Sequence, residues 1–485
     1  MLRANNLGLV SYEKVHESYL RQRKLKGNAN GWLLWSLGVG AVIGGEFFGW
    51  NFGLDKGGVV GLGIATILMA IMYVCLVYSI SEMSASFPHA GGFYSYTRQA
   101  FGPFWAFICG MALIIEYVLT VATTVISISD YMQPVLPQVP PWVIWIAAYA
   151  IFVSINIWGM SQTIQLSLYL CLSAILVLVI FFVTALTTGL FQTELLFNIP
   201  PTPGNTHWLP FGWEGAFRAI PYAIWFYLAI EQVPLAAEET ENPAKNIPQG
   251  LISGIFTLII LSFLVLILNS GVGGGAMAVS KSTIPLGYGL EIYYNTGYLI
   301  NIAVLCGVIS TFHSITFAYA RSLFAMSRAG YIPRWISVTS KTYTPYRALL
   351  LGAGVGLACA ALIKIFSDAA VGSILLNMSV FGAVISYILV MLSYLKLKMT
   401  RPELLKNYHS PLGVFGGFVG LILAVVAFIA CFSEPSYRPG LIGIAVVMGL
   451  SIFYFLAFSR HEIVAKAPEE KAALLASSIS KANLG

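Results

Sequence analysis

Four acidic or histidine residues stand within apolar stretches long enough to cross a bilayer: Glu46, Glu116, Glu231 and His313. An ionisable group costs roughly 2.5 kcal/mol or more at mid-membrane, so each is a candidate for binding or moving charge. Glu46 is the sharpest of them. It lies in WLLWSLGVGAVIGGEFFGWNF, Trp32 to Phe52, a run with five glycines, each of which costs a helix roughly 1 kcal/mol against alanine. The pattern predicts a helix that unwinds over Ile43 to Gly45, with Glu46 opening a second half-helix. There its carboxylate would meet unsatisfied N–H groups and the positive end of a helix dipole. Facing a cavity, it would bind a small cation; the alternative is a carboxylate that only caps the half-helix.

Glu231 sits in AIWFYLAIEQVPLAAEE, where Pro234 fits the first turn of a half-helix restarting near Glu231. It either faces the ligand or a coupling ion, or holds the break structurally. Trp225, Phe226 and Tyr227 precede this break, and Phe47 and Phe48 follow the first. Aromatic faces suit an ammonium ion, which gains about 0.5–2 kcal/mol per ring. One or two of the five should line the site, completed by the backbone of Ile43, Gly44, Gly45, Ala229 and Ile230. Glu116 and Tyr117 lie mid-span in a third segment, and His313 lies in STFHSIT. Glu116 either serves coupling or gating, with His313, or pairs with a hydroxyl or with His313 across helices. Asn156 reads as an interhelical hydrogen-bonding residue. The hydroxyls of Ser310, Thr311 and Ser314 either offer oxygens to sodium or bond their own backbone.

The segments that must carry these residues follow from composition. Of the 485 residues, 58% are hydrophobic and 9% charged, and the mean hydropathy is +0.80; soluble domains carry about 25% charged residues. Apolar runs fall at 32–53, 58–80, 103–128, 142–160, 163–190 and 215–236, then at 249–271, 297–326, 347–366, 369–396, 411–432 and 438–458. They predict an all-α membrane protein with twelve spans. With the N-terminus inside, 21 of the 26 Lys and Arg fall in cytoplasmic loops and tails, so both termini are expected in the cytoplasm of a cell with an inner or plasma membrane.

The Lys- and Arg-free connection 191–214 divides the first ten spans into two fives, 32–190 and 215–396, each opening on an interrupted helix. An odd number per half makes this an inverted repeat with its site at the midplane. Residues 1–31 form a cytoplasmic segment with no expected signal peptide, 397–459 hold the last two spans, and 460–485 form a tail read as a short surface helix or disorder. The glycine run Gly271 to Gly275 reads as flexible linker.

Several functions drop out. The net charge of +6 lies in short loops, which argues against nucleic acid. The six cysteines are scattered singly, without metal-ligand spacing. No nucleophile with a neighbouring base, HExxH or phosphate-binding loop points to an enzyme, a metal or a cofactor.

Four motifs carry a family resemblance. GAVIGGEFF (Gly40 to Phe48), EETENPAKNIPQG (Glu238 to Gly250), RSLFAMSRAGYIP (Arg321 to Pro333) and TPYRAL (Thr344 to Leu349) resemble the amino acid, polyamine and organocation transporter superfamily. Within it, GEFFGWN (Gly45 to Asn51) is similar to the ethanolamine permeases. The resemblance implies a five-plus-five inverted repeat and alternating access. It also implies that glycine usually stands where Glu46 is, leaving N–H groups for a substrate carboxylate. Glu46 would supply that anion itself, so an amino acid is repelled while ethanolamine, an ammonium with a hydroxyl, is accepted. Proton-coupled relatives often carry a lysine in the fifth span; 163–190 has none, and Glu231 becomes the candidate proton site, with uniport the other option. The expected function is import of ethanolamine or a similar small primary amine across the lipid bilayer. An amino acid or polyamine transporter of the same fold, or an amine sensor without flux, are the alternatives.

Overall fold

The computed structural model describes residues 4–7, 10–13, 15–294, 298–365 and 370–482. Eleven stretches among the described residues are helical, long and apolar enough to cross a membrane. Spans 2 to 5 are Leu54–Ser86, Pro103–Met132, Pro141–Trp158 and Met160–Thr187. Spans 7 to 12 are Pro243–Ser270, Tyr298–Arg328, Tyr346–Ile365, Ala370–Thr400, Gly413–Ser433 and Arg438–Ala457. Pro103, Pro141 and Pro243 each start a helix at a position whose N–H has no intrahelical partner. The expected starts at 297 and 369 and the expected end at 366 lie outside the described residues.

Spans 1 and 6 are the interrupted ones. Span 1 begins at Gly31, capped by the Asn30 side chain, which accepts from the Leu33 N–H at 3.0 Å. Its α-helix stops at Val42, tightens to a 3-10 turn over Ile43–Glu46, and resumes as a second such turn at Trp50–Gly53. At 12 residues the α-helical part alone is too short to cross a bilayer. Span 6 runs Gly212–Ala223, a 3-10 turn Ile224–Phe226, and a long 3-10 stretch Ile230–Glu239.

Small residues let these irregular segments approach their neighbours. A Cβ on Gly250 of span 7 would lie 2.8 Å from the Leu34 Cβ of span 1, and one on Gly45 would lie 2.0 Å from the Trp225 carbonyl oxygen. Spans 1, 2, 6 and 7 pack on one another; span 3 packs on spans 8 and 10, and span 10 on spans 11 and 12. Leu176, Val183, Ile442, Leu450 and Phe453 point outward from spans 5 and 12 as a lipid-facing surface does.

The face that carries both termini is more ordered than the sequence suggests. Strands β1 (Ala4–Leu7), β2 (Val10–Glu13) and β3 (Ile463–Val464) form a small sheet, β1 antiparallel to β2 and β2 parallel to β3. The tail continues as the helix Pro468–Ala482, whose Glu469 and Glu470 are fully buried rather than exposed. A further helix, Phe93–Phe101, lies between spans 2 and 3 and went unread because its apolar run is short. On the opposite face, the glycine run expected as linker turns into the helix Gly275–Val279, fixed by Asn198 through the Gly274 carbonyl and the Met277 N–H.

Arg321 of span 8 grips Glu239 of span 6 with two hydrogen bonds, 2.9 and 3.1 Å, with both side chains fully buried. Glu239→Gln should therefore destabilise the protein by about 3–5 kcal/mol, because it leaves a guanidinium buried without its counter-charge. A clear fall in melting temperature in detergent micelles checks this, and an unchanged value would refute it.

Candidate functional site

Where the two interruptions meet, the backbone leaves regular helix geometry. Gly49 takes φ +95° and interrupts the helix after the first 3-10 turn. Ala229 takes φ +80°, a left-handed conformation that a residue with a Cβ adopts only under constraint from its surroundings. Asn51 fixes the first interruption: its Oδ1 accepts the Gly49 N–H, and its Nδ2 donates to the carbonyls of Val279 and Ser282 at 2.8 and 2.9 Å. Gln232 ties the second interruption to the first helix by donating to the Leu37 carbonyl at 2.9 Å.

Between spans 1, 3, 6 and 8 lies a small cavity of about 10 Å³, the room of a single water. Gly45, Val42, Thr120, Thr311, Leu228 and Trp225 line it. Phe48 and Trp225, ring centroids 6.0 Å apart, also form one wall of a cavity of about 330 Å³ bounded by Asp55, Tyr222, Asn377 and Tyr437. These two rings thus part the small central cavity from a vestibule reaching the face opposite the termini, where Asp55 and Phe52 are exposed.

Glu46 lies in the 3-10 turn rather than at the start of a half-helix, and it follows the cavity-lining Gly45 without itself lining the cavity that it was expected to face. It is fully buried, and neither carboxylate oxygen has a hydrogen-bond partner. No ion pair involves it among the described residues. Its backbone carbonyl accepts from the Trp50 indole at 3.2 Å, and Tyr227, in the interruption of span 6, is bonded to Ser262 at 2.9 Å.

The other expected residues divide into three groups. Gly45 and Trp225 line the central cavity. Ile43 and Gly44 lie in the same turn as Glu46, and Ile230 packs instead on Gly38 and Gly254. The Phe47 ring lies over Gly307, and its carbonyl accepts from Tyr131 at 3.0 Å, so this aromatic packs between helices. Glu116, Tyr117 and Glu231 come together in a second buried cluster. The Tyr117 hydroxyl donates to Glu231 Oε1 at 3.4 Å, and Glu116 lies close by with neither carboxylate oxygen hydrogen-bonded. Tyr387 closes this cluster and bonds Tyr73 at 3.0 Å. His313 forms the third group by itself: it bonds Asn156 at 3.3 Å and the Thr163 carbonyl at 2.9 Å, where spans 4, 5 and 8 meet.

Thr311 has a larger part than its residue type suggested. Its hydroxyl accepts the Gly44 N–H at 2.7 Å and donates to the Gly40 carbonyl at 3.2 Å, filling both groups that the end of the span 1 helix leaves open. A hydroxyl on a span more than 260 residues further along the chain carries no sequence signal for such a bond. Thr120 and Thr124, at helical spacing on span 3, were likewise unread as lining residues.

A family model described as amino acid permease matches residues 30–458. The chain belongs to this family. It is 28% identical over 414 residues to an uncharacterised transporter of Rhizobium meliloti, covering 82% of this chain and 85% of that one. It is 24% identical to L-asparagine permease 1 of Mycobacterium tuberculosis over 486 residues, covering 96% and 95%. A methylthioribose transporter of Bacillus subtilis is 24% identical over 459 residues, covering 89% and 93%. As an amino acid permease homologue the protein is a multi-pass membrane transporter rather than an enzyme.

Gly45 leaves no room for a side chain. Gly45→Ala would drive a methyl against the Trp225 carbonyl, so it should lower stability by about 1–3 kcal/mol as an overpacked core does. The melting temperature should drop and transport fall with it; wild-type values for both would show that the interrupted helices do not depend on this contact.

Proposed function

We propose that this permease imports ethanolamine or a similar small primary amine, and that Glu46 binds its ammonium group. The observation that carries the reading is the buried Glu46 carboxylate without a hydrogen-bond or ion-pair partner, one residue from the central cavity. A charge taken out of water is retained only with a partner, and a cationic substrate provides one. The ammonium reaches it by passing Phe48 and Trp225 from the vestibule. Thr311 supports the same choice of substrate. By occupying the Gly44 N–H it withholds from a substrate carboxylate the donor that an interrupted helix otherwise offers.

Both termini lie on one face, and in this reading that face is cytoplasmic, as the distribution of Lys and Arg favours. A single cationic charge then gains about 2.3 kcal/mol per 100 mV of inside-negative potential, roughly 50-fold accumulation. Protons add to this through Glu231, which lies near Glu116 and accepts from Tyr117. Amino acid transport is the second reading, favoured by the relative named for L-asparagine; the relative named for methylthioribose indicates that family membership alone leaves the substrate open.

Uptake of labelled ethanolamine into proteoliposomes tests the role of Glu46. Glu46→Gln should reduce kcat/KM by about 100-fold, the loss of one partner from a buried charge pair at 2–5 kcal/mol; wild-type uptake would refute it. Glu231→Gln should abolish the stimulation of uptake by an imposed proton gradient while leaving voltage-driven uptake in place. Unaltered proton stimulation would remove Glu231 from coupling.

A further inference from the structure

Arg328, at the end of span 8, is fully buried on the terminal face and holds two carboxylates from different parts of the molecule. One is Glu238 at the end of span 6, bonded through Nη1 at 2.8 Å and through Nη2; it also accepts the Ala90 N–H at 3.1 Å. The other is Glu469 of the tail helix, bonded through Nη2 at 2.5 Å. Their surroundings differ. Glu238 is 19% exposed and rides on the interrupted span, whereas Glu469 is fully buried.

The tail is anchored on the same side as Arg328. Glu470 binds the Arg98 guanidinium at 2.8 and 3.0 Å and accepts the Tyr331 hydroxyl at 2.7 Å. Arg98 also donates to the Tyr12 hydroxyl at 2.7 Å; burial pushes that phenol up to about 12, so it stays neutral beside the guanidinium. The Val464 N–H donates to the Ala329 carbonyl at 2.9 Å, and Gly330, at φ +87°, lies so close to the Glu462 carbonyl that a Cβ would come within 2.2 Å. Arg98 stands on the helix Phe93–Phe101, which packs on spans 3 and 10, and span 8 packs on span 3. The tail therefore belongs with spans 3, 8 and 10, and it meets span 6 through the shared arginine.

We propose that Glu469 is the standing counter-ion of Arg328 and so part of the transport machinery: the terminal face closes when Arg328 also takes Glu238 and opens when Glu238 leaves. Opening of that face by alternating access carries Glu238, at the end of span 6, away from Arg328 while the deeper Arg321–Glu239 pair stays joined. Without Glu469 the separation would strand a buried guanidinium, which is strongly unfavourable. With it, Arg328 passes from two carboxylates to one and is never bare. Arg321 contrasts with this arrangement. Seven residues deeper on the same helix, it holds Glu239 alone and lies over the Phe317 ring, 3.7 Å from its centroid, as a fixed joint would. Glu469 is a positioning residue, acting through Arg328 and not on substrate. The inference rests on membership of the transporter family and not on the choice of ethanolamine.

The roles of the two carboxylates predict opposite effects. In full-length, cysteine-free protein in micelles, a single cysteine replaces Leu235, which is buried against Gly92 on the terminal side of the span 6 break. A second reporter replaces Phe52 in the vestibule. Glu238→Gln should raise maleimide labelling at position 235 and lower it at 52. Glu469→Gln should do the reverse, slowing labelling at 235 about tenfold, which corresponds to 1.4 kcal/mol, and Glu469→Asp should restore it. Faster labelling at 235 in Glu469→Gln would make the tail a lock and overturn the proposal. Unchanged labelling, or a rise at both reporters, would show a merely structural tail and overturn it equally.

Discussion

A charge buried in a membrane protein must find a counter-charge, and this chain meets that constraint in two opposite ways. At the terminal face the carboxylates of Glu238, Glu239, Glu469 and Glu470 are all matched by arginines within hydrogen-bond distance. In the membrane interior neither carboxylate oxygen of Glu46 or of Glu116 has a hydrogen-bond partner, and Glu231 accepts only from the Tyr117 hydroxyl among the described residues. The first arrangement holds a face shut. The second leaves places where a mobile cation is worth more than it would be in water, because low dielectric strengthens the pairing that it completes.

The interrupted helices make those places possible. Glycine at 44 and 45 lets span 1 lie against Thr311 on one side and the Trp225 backbone on the other, closer than any side chain permits. The same closeness lets Thr311 satisfy Gly44 and Gly40 at once. Selectivity then follows from what is already filled. A built-in anion and an occupied N–H both work against a substrate carboxylate, while the aromatic rings of Trp225 and Phe48 suit a cation on its way in.

Much of this architecture was legible from the residues alone, since runs of about 20 apolar residues and their charged connections report on the bilayer directly. Both interruptions were readable too, from the glycines around Glu46 and from Pro234. What escaped was set by contacts between distant segments. That Glu116 lies near Glu231 rather than bonding a hydroxyl or His313 depends on how spans 3 and 6 are rotated, and a left-handed Ala229 leaves no trace in residue type. The tail was misread for the same reason. Its Ala, Lys, Glu and Ser composition resembles a solvated helix, and only Arg98 and Arg328, more than 100 residues away, make its glutamates buried ones.

The claim on which the account turns is that Glu46 takes the place of a substrate carboxylate. Equilibrium binding of labelled ethanolamine to the purified permease, with L-serine as competitor, tests it most directly, because serine is ethanolamine with a carboxylate added. The account predicts saturable ethanolamine binding that serine fails to displace even at about 100-fold excess, a gap of at least about 2.7 kcal/mol. Displacement by serine at concentrations similar to ethanolamine itself would contradict it.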